Sequence, residues 1–235
     1  MGARQIVLDT ETTGLNARLG DRVIEIGCIE LMSRNVTDRT FHRYLNPERD
    51  IEEGAAKVHG LTAEFLADKP KFAEVAREFV DYVTGGELII HNAAFDVEFL
   101  DMELGKAGLG KLSDHCAGVI DTLPMARELH PGKKNSLDAL CERYSISNAH
   151  RTLHGALLDA RLLAEVYLAL TRGQDSLVMD LVSPAEAAVA AARIDAAGLV
   201  VLRASPEELK AHEQVLDAID KAAKEKGGSL WRKPG

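Results

Sequence analysis

The 235-residue chain has only three cysteines, Cys28, Cys116 and Cys141, and no two of them form a Cys-x-x-Cys pair. An odd number at those spacings argues against a disulfide framework or a cysteine-rich zinc site, and leaves the three as small buried apolar residues. No apolar run approaches the roughly 20 residues that a bilayer span needs, and the N-terminus lacks a signal-peptide pattern. A cytoplasmic protein with no membrane partner is expected. An excess of positive charge is also missing, since 28 Lys and Arg stand against 37 Asp and Glu, a net charge of −9. A protein that grips nucleic acid alone normally shows a basic footprint. If nucleic acid is the substrate, something else holds it nearby.

What is present is a globular composition, 46% hydrophobic and 28% charged, in a chain long enough for one α/β core and a smaller appendage. Residues 5–8, 23–31 and 40–45 read as strands, forming an antiparallel meander. Helical stretches follow over 52–59, closed by Gly60, and over 72–83, where Phe72, Val75, Phe79 and Val83 make one buried stripe. Residues 87–91 and 117–120 add two strands around a helix over 94–106, in which Ala94, Val97 and Leu100 would face the core. Helices over 123–129, 137–144 and 154–170 complete a mixed five-stranded α/β domain spanning 1–172. An alanine-rich linker follows at 173–197. The segment 198–235 opens with a strand-like Leu199-Val200-Val201-Leu202, then Ser205-Pro206-Glu207-Glu208, a strong helix start. That helix carries Leu209, His212, Leu216, Ile219 and Ala223 on one face, stops at Gly227-Gly228, and is followed by the lone Trp231. It has too little core to stand alone and reads either as a docking element or as a tail folded onto its own domain.

Three segments carry chemistry. Asp9-Thr10-Glu11 ends the first strand with two carboxylates on one side, which suits a hard cation such as Mg²⁺ or Mn²⁺. Asp96 falls in the first turn of a helix that begins at a strand end, where open α/β sheets place their sites. His154-x4-Asp159 opens the last helix of the domain. The angular step puts His154 on the loop or a loosened first turn, and Asp159 among Ala156, Leu157, Leu158 and Leu162 has no obvious reason to be present unless something positive, such as a metal, meets it. Asp121 and Asp138 read as helix caps or dipole partners rather than as further ligands.

Taken in order, Asp-Thr-Glu-Thr-Thr-Gly-Leu, His-Asn-Ala-Ala-Phe-Asp and His-x-Ala-Leu-x-Asp-Ala resemble the histidine-containing branch of the DEDD exonuclease superfamily, which has a ribonuclease-H-like fold. Val58-His59-Gly60-Leu61-Thr62, Asn135-Ser136-Leu137-Asp138-Ala139-Leu140-Cys141 and Gly227-Gly228-Ser229-Leu230-Trp231-Arg232 resemble, more narrowly, the proofreading subunits of bacterial replicative polymerases. The resemblance implies two divalent cations held by Asp9, Glu11, Asp96 and Asp159, with Asp9, Glu11 and Asp159 on the ion that activates water and Asp9 bridging to the second. It implies His154 as general base and a nucleoside 5′-monophosphate released from a single-stranded DNA 3′ end. Thr12, His59, His91 and Phe95 would shape the pocket for the terminal nucleotide, although Phe95 can equally be core and the two histidines capped element ends. The implied partners are the catalytic subunit of the polymerase, through 198–235, and a small accessory subunit. A sliding clamp would bind through Gln174-Asp175-Ser176-Leu177-Val178-Met179, which lacks the usual closing aromatic. Two readings compete with this one: a free-standing trimming nuclease, and a scaffold subunit without catalysis.

Overall fold

The computed structural model of the chain describes residues 4–148, 153–172 and 204–222. The chain divides into two compact units, Met1–Ser176 and Leu177–Gly235. In the first unit, β1 (Arg4–Thr12), β2 (Val23–Met32) and β3 (Asn35–Tyr44) form the antiparallel meander, and β4 (Glu87–Ile90) and β5 (Gly118–Asp121) join β1 in parallel. The strand order is β3-β2-β1-β4-β5. Helices α1 (Glu53–His59), α2 (Ala63–Leu66), α3 (Phe72–Val83), α4 (Ala93–Lys106), α5 (Thr122–Leu129), α6 (Leu137–Tyr144) and α7 (Ala156–Leu170) surround it. The mixed five-stranded sheet is the one expected, with β1 and β3 each several residues longer than the apolar runs alone suggest.

Alternation along β1 divides the core. Ile6 and Leu8 pack with Phe72, Phe79, Phe99 and Leu100 on the face covered by α3 and α4. Val7 packs with Ala160, Leu163 and Ala164 on the face covered by α7. Because successive strand residues point to opposite faces, Asp9 and Glu11 belong to the α7 face, and Thr10 belongs to the α4 face.

Helix α4 starts at Ala93, and its buried stripe is Ala93, Asp96, Phe99, Leu100, Glu103 and Leu104. Ala94 is exposed and Val97 half-buried, so of the three residues expected to face the core only Leu100 is fully within it. The register places Asp96 on the inner stripe, where a surface acid would not be. Cys28 and Cys141 are buried, Cys116 is partly so, and none is in a disulfide.

In the second unit, α8 (Pro206–Ala222) begins with the expected capping box. The Glu208 N–H donates to Ser205 Oγ at 3.2 Å, and the Ser205 N–H donates to Glu208 Oε2 at 2.7 Å. Leu216 is buried, while Leu209, Val215 and Ile219 are exposed. The linker 173–197, the segment 174–179, the strand-like run 199–202 and the closing Gly227 to Arg232 lie outside the described residues.

Candidate active site

β1 delivers its carboxylates to the carboxyl end of the parallel strands, and α7 comes to meet them. Asp9 stands opposite Gly27 in the β1–β2 ladder, and Glu11 opposite Glu25. A Cβ on Gly27 would lie 2.2 Å from the Leu157 nitrogen and 2.3 Å from the Ala156 carbonyl carbon. Only a glycine at that position lets the first turn of α7 rest directly on β2. This contact brings Asp159, in the same turn, to β1.

Glu11, His154 and Asp159 each offer a ligand atom within 4.8 Å of the others. His154 Nδ1 is 3.3 Å from Asp159 Oδ2. Glu11 and Asp159 are buried and His154 is exposed, so the cluster opens to solvent on the histidine side. His154 lies on the loop before α7, and its N–H donates to the Val58 carbonyl of α1 at 3.0 Å. Gly60, with φ of +70°, closes α1 beneath Leu153.

Asp96 arrives from the opposite face. Its Oδ1 accepts from Thr10, from the N–H at 3.1 Å and from the hydroxyl at 2.7 Å. Burial raises its pKa to about 7 against those hydrogen bonds, and the nearby Asp121 charge adds to the rise. Asp121 is a cap, and for two helices: it accepts from the Asn92 and Ala93 N–H groups at 3.0 and 3.1 Å and from Leu123 at 2.9 Å. It thereby fixes the start of α4. The expected assignment groups Asp9 with Glu11 and Asp159, whereas the tight cluster is Glu11, His154 and Asp159, with Asp9 and Asp96 outside it. Carboxylates from two faces make an oxygen-rich donor set that fits a hard divalent cation, with one imidazole beside it.

A pocket of about 400 Å³ adjoins the cluster, lined among others by Glu11, Thr12, Leu15, Val58, His59 and Phe95. Thr12 donates its hydroxyl to the Gly14 carbonyl at 2.6 Å and so shapes the turn. Phe95 packs against Phe99 as a tilted ring pair, 4.8 Å between centroids, and also lines this pocket. His59 is buried, and its Nδ1 accepts from the Leu61 N–H at 3.0 Å. Its Nε2 is buried without a hydrogen-bond partner among the described residues. Burial lowers the His59 pKa, a trend the Glu25 charge and the Thr12 carbonyl oppose and His154 reinforces. His91 does not line this pocket. Its Nδ1 is 2.8 Å from Thr122 Oγ1, and it faces a separate cavity beyond β4.

The sequence reading misses Glu25, buried opposite Glu11 and 2.7 Å from His42 Nε2. Its position in an alternating strand suggests a solvent-facing residue, and only the register with Glu11 reveals it.

Residues 6–167 match the family model described as Exonuclease, of the RNase T type. The chain is 51% identical to the DNA polymerase III subunit epsilon of Escherichia coli and to that of Salmonella typhimurium, each over 97% of both chains. The chain belongs to this exonuclease family. It is accordingly a 3′→5′ proofreading exonuclease, dependent on divalent metal. The subunit epsilon of Rickettsia felis is 45% identical over 94% of this chain. Among solved structures, exonuclease X in complex with 5′-overhanging duplex DNA superposes with a TM-score of 0.57 at 26% identity, over 71% of this chain and 90% of that one. An exonuclease I from Methylocaldum szegediense shares the fold, with a TM-score of 0.65 at 21% identity, over 74% of this chain and 42% of its own. Among the described residues, no helix is long and apolar enough to cross a membrane.

Proposed function

We propose that Asp9, Glu11, Asp96 and Asp159 hold two divalent cations, Mg²⁺ or Mn²⁺, and that His154 is the general base in hydrolysis of the last phosphodiester at a DNA 3′ end. The observation that carries this is the convergence of Glu11, His154 and Asp159 within 4.8 Å at the end of β1. Cations bound there would supply Lewis-acid activation of water and neutralise phosphate charge. The chain's own residues supply the rest. With Nδ1 turned to Asp159, His154 keeps Nε2 as the proton acceptor. Water oxygen bonds to phosphorus, the bond from phosphorus to the 3′ oxygen breaks, His154 takes the water proton, and the leaving oxygen is protonated from solvent. A nucleoside 5′-monophosphate departs.

The pocket suits one unpaired nucleotide. Because His59 Nδ1 accepts, Nε2 carries the proton and offers a buried donor to a substrate oxygen. Phe95, Leu15 and Val58 give apolar surface for a base. Nothing in this lining reads base identity. Selection of mismatched ends then follows from easier fraying, a difference of a few kcal/mol at most.

The further reading concerns assembly. Residues 1–172 form the nuclease domain, and 198–235 dock on the polymerase catalytic subunit across the linker 173–197. The exposed Leu209, Val215 and Ile219 of α8 and the 97% coverage of the epsilon relatives support this. Gln174 to Met179 is proposed as a clamp-binding peptide, and a small accessory subunit as a further partner.

Hydrolysis of a mismatched primer end with Mg²⁺, by the parent protein and by Asp9→Ala and Glu11→Ala, tests the chemistry. Equal activity in all three refutes it. Co-purification of the polymerase subunit with a chain lacking 173–235 would refute the docking assignment.

A further inference from the structure

A second cavity, of about 630 Å³, opens at the carboxyl end of β4 and is lined by His91, Asn92, Arg127, Lys133, Asn135 and Ser136, together with two apolar neighbours. Its wall is built rather than loose. His91 is held through Nδ1 by Thr122 at 2.8 Å. The Asn135 amide donates to the Lys133 carbonyl at 3.1 Å, and Arg143 donates to Asn135 Oδ1 at 3.1 Å and to the Lys134 carbonyl at 2.7 Å. These bonds fix the loop before α6.

Two cations face this space uncompensated. Arg4, Arg22, Arg39, Arg43 and Arg49 are each in an ion pair, whereas Arg127 and Lys133 form none among the described residues. Arg127 is close enough to His91 for its charge to lower the imidazole's pKa, in addition to the larger effect of burial. In a chain of net charge −9, two unneutralised cations at one polar cavity mark a place for an anion.

The position identifies which anion. β1 and β4 run parallel with Val7 opposite Ile89. β4 ends at Ile90, so His91 leaves the sheet at the same carboxyl end as Asp9. The cavity therefore adjoins the cutting site on its β4 side.

We propose that this cavity binds phosphodiester groups of the strand being cut, upstream of the scissile bond, with Arg127 forking onto one phosphate and Lys133 acting as a point charge. The proposal rests on the nuclease reading above and extends it to how an acidic protein holds a polyanion. The loop before α6 carries the contact, and the contact is to backbone and therefore blind to sequence.

The test compares the full-length protein with its Arg127→Gln/Lys133→Gln variant on three substrates with Mg²⁺. The first is the p-nitrophenyl ester of thymidine 5′-monophosphate, whose single phosphate cannot reach the cavity. The second is a single-stranded oligodeoxynucleotide, and the third is the same strand annealed as a mismatched primer. The expected result is unchanged ester hydrolysis, unchanged kcat on the single strand and KM raised about tenfold. The slope of log kcat/KM against log salt should also shallow by roughly 0.7 for each cation removed. An unchanged KM and salt slope on the single strand overturns the proposal. So does a parallel loss on the ester, which would mean that the residues act on the cutting centre, and so does an effect confined to the annealed primer, which would assign the cavity to the complementary strand. A parent protein inactive on all three substrates instead refutes the nuclease reading itself.

Discussion

Gly27 and Asp9 face each other across the β1–β2 ladder, and the space that Gly27 leaves empty is the space α7 occupies. The atoms that a Cβ would meet, the Leu157 nitrogen and the Ala156 carbonyl at 2.2–2.5 Å, are backbone and cannot rotate away. Gly27→Ala should therefore lift the first turn of α7 and carry Asp159 off the cluster. The expected cost is about 2–3 kcal/mol of stability, together with loss of most exonuclease activity. Gly105→Ala, on α4 with nothing within 4 Å of the new methyl, is the control and should be neutral or stabilising by up to about 1 kcal/mol. Thermal melts and a primer assay on both variants decide it. Equal behaviour of the two would remove the close-approach argument.

The burial of Asp96 makes a pH signature. Its pKa in the fold is raised from 3.8 to about 7. A carboxyl raised in this way stabilises the fold through its protonated form, fully below pH 4, and loses that contribution as pH rises through about 7. The metal-free protein should lose on the order of 4 kcal/mol across that window, and added Mg²⁺ or Mn²⁺ should restore stability at the upper end by binding the ionised form. Asp96→Asn, which imitates the protonated state, should flatten the metal-free profile and lose the cation's effect. Denaturant melts from pH 4 to 8, with and without cation, measure both.

A buried pair sets the position of α4 at its other end. Arg22 forks onto Glu103 at 2.6 and 2.8 Å, and the Glu103 side chain is only 3% exposed. The ion pair and hydrogen bonds raise the Arg22 pKa against the cost of burial. Arg22→Ala strands a buried carboxylate and should destabilise by roughly 3 kcal/mol. Arg22→Ala/Glu103→Leu should recover much of that loss. A double variant as unstable as the single one would show that the helix contact, not the stranded charge, is what the arginine provides.

How far the sequence anticipates the site depends on whether a residue acts through its own segment or through register. Asp9, Glu11 and Asp159 are legible because a carboxylate on an apolar stripe needs a reason wherever it stands, and the Asp121 cap is legible because its partners are nearby in sequence. Its second duty, fixing Asn92 and Ala93, is invisible, since it joins positions 28 and 29 residues away. Glu25 and Glu30 lie on opposite faces of β2 and both are 3% exposed, so neither face of that strand is left to solvent. Arg4 and Arg39 from neighbouring segments cover Glu30, and His42 covers Glu25. The orientation of His91 is hidden for a related reason. His91 follows β4 at the carboxyl end of the parallel strands, and its ring turns toward Thr122 and lines the neighbouring cavity.

The last relationship joins His154, the proposed general base, to the pocket wall. The His154 N–H donates to the carbonyl of Val58, and Val58 and His59 line the pocket from α1. One short helix therefore positions both His154, the proposed proton acceptor, and His59, the proposed donor to the nucleotide. His154→Ala removes only the acceptor, so kcat should fall by about 10²- to 10⁴-fold while the melting temperature and cation binding measured by calorimetry hold. Gly60→Ala acts on the joint itself. Its left-handed backbone at φ +70° and a methyl 2.4 Å from Leu153 Cδ1 strain the end of α1 and press on the loop beside His154. That variant should lose about 1 kcal/mol of stability, lower kcat and raise KM together, because base and pocket shift as one. Pairing it with Leu153→Ala relieves the steric part, and should return kcat more than stability, since the backbone strain remains. If Gly60→Ala lowered kcat with KM untouched, the base and the pocket would be independent, and α1 would be only a wall.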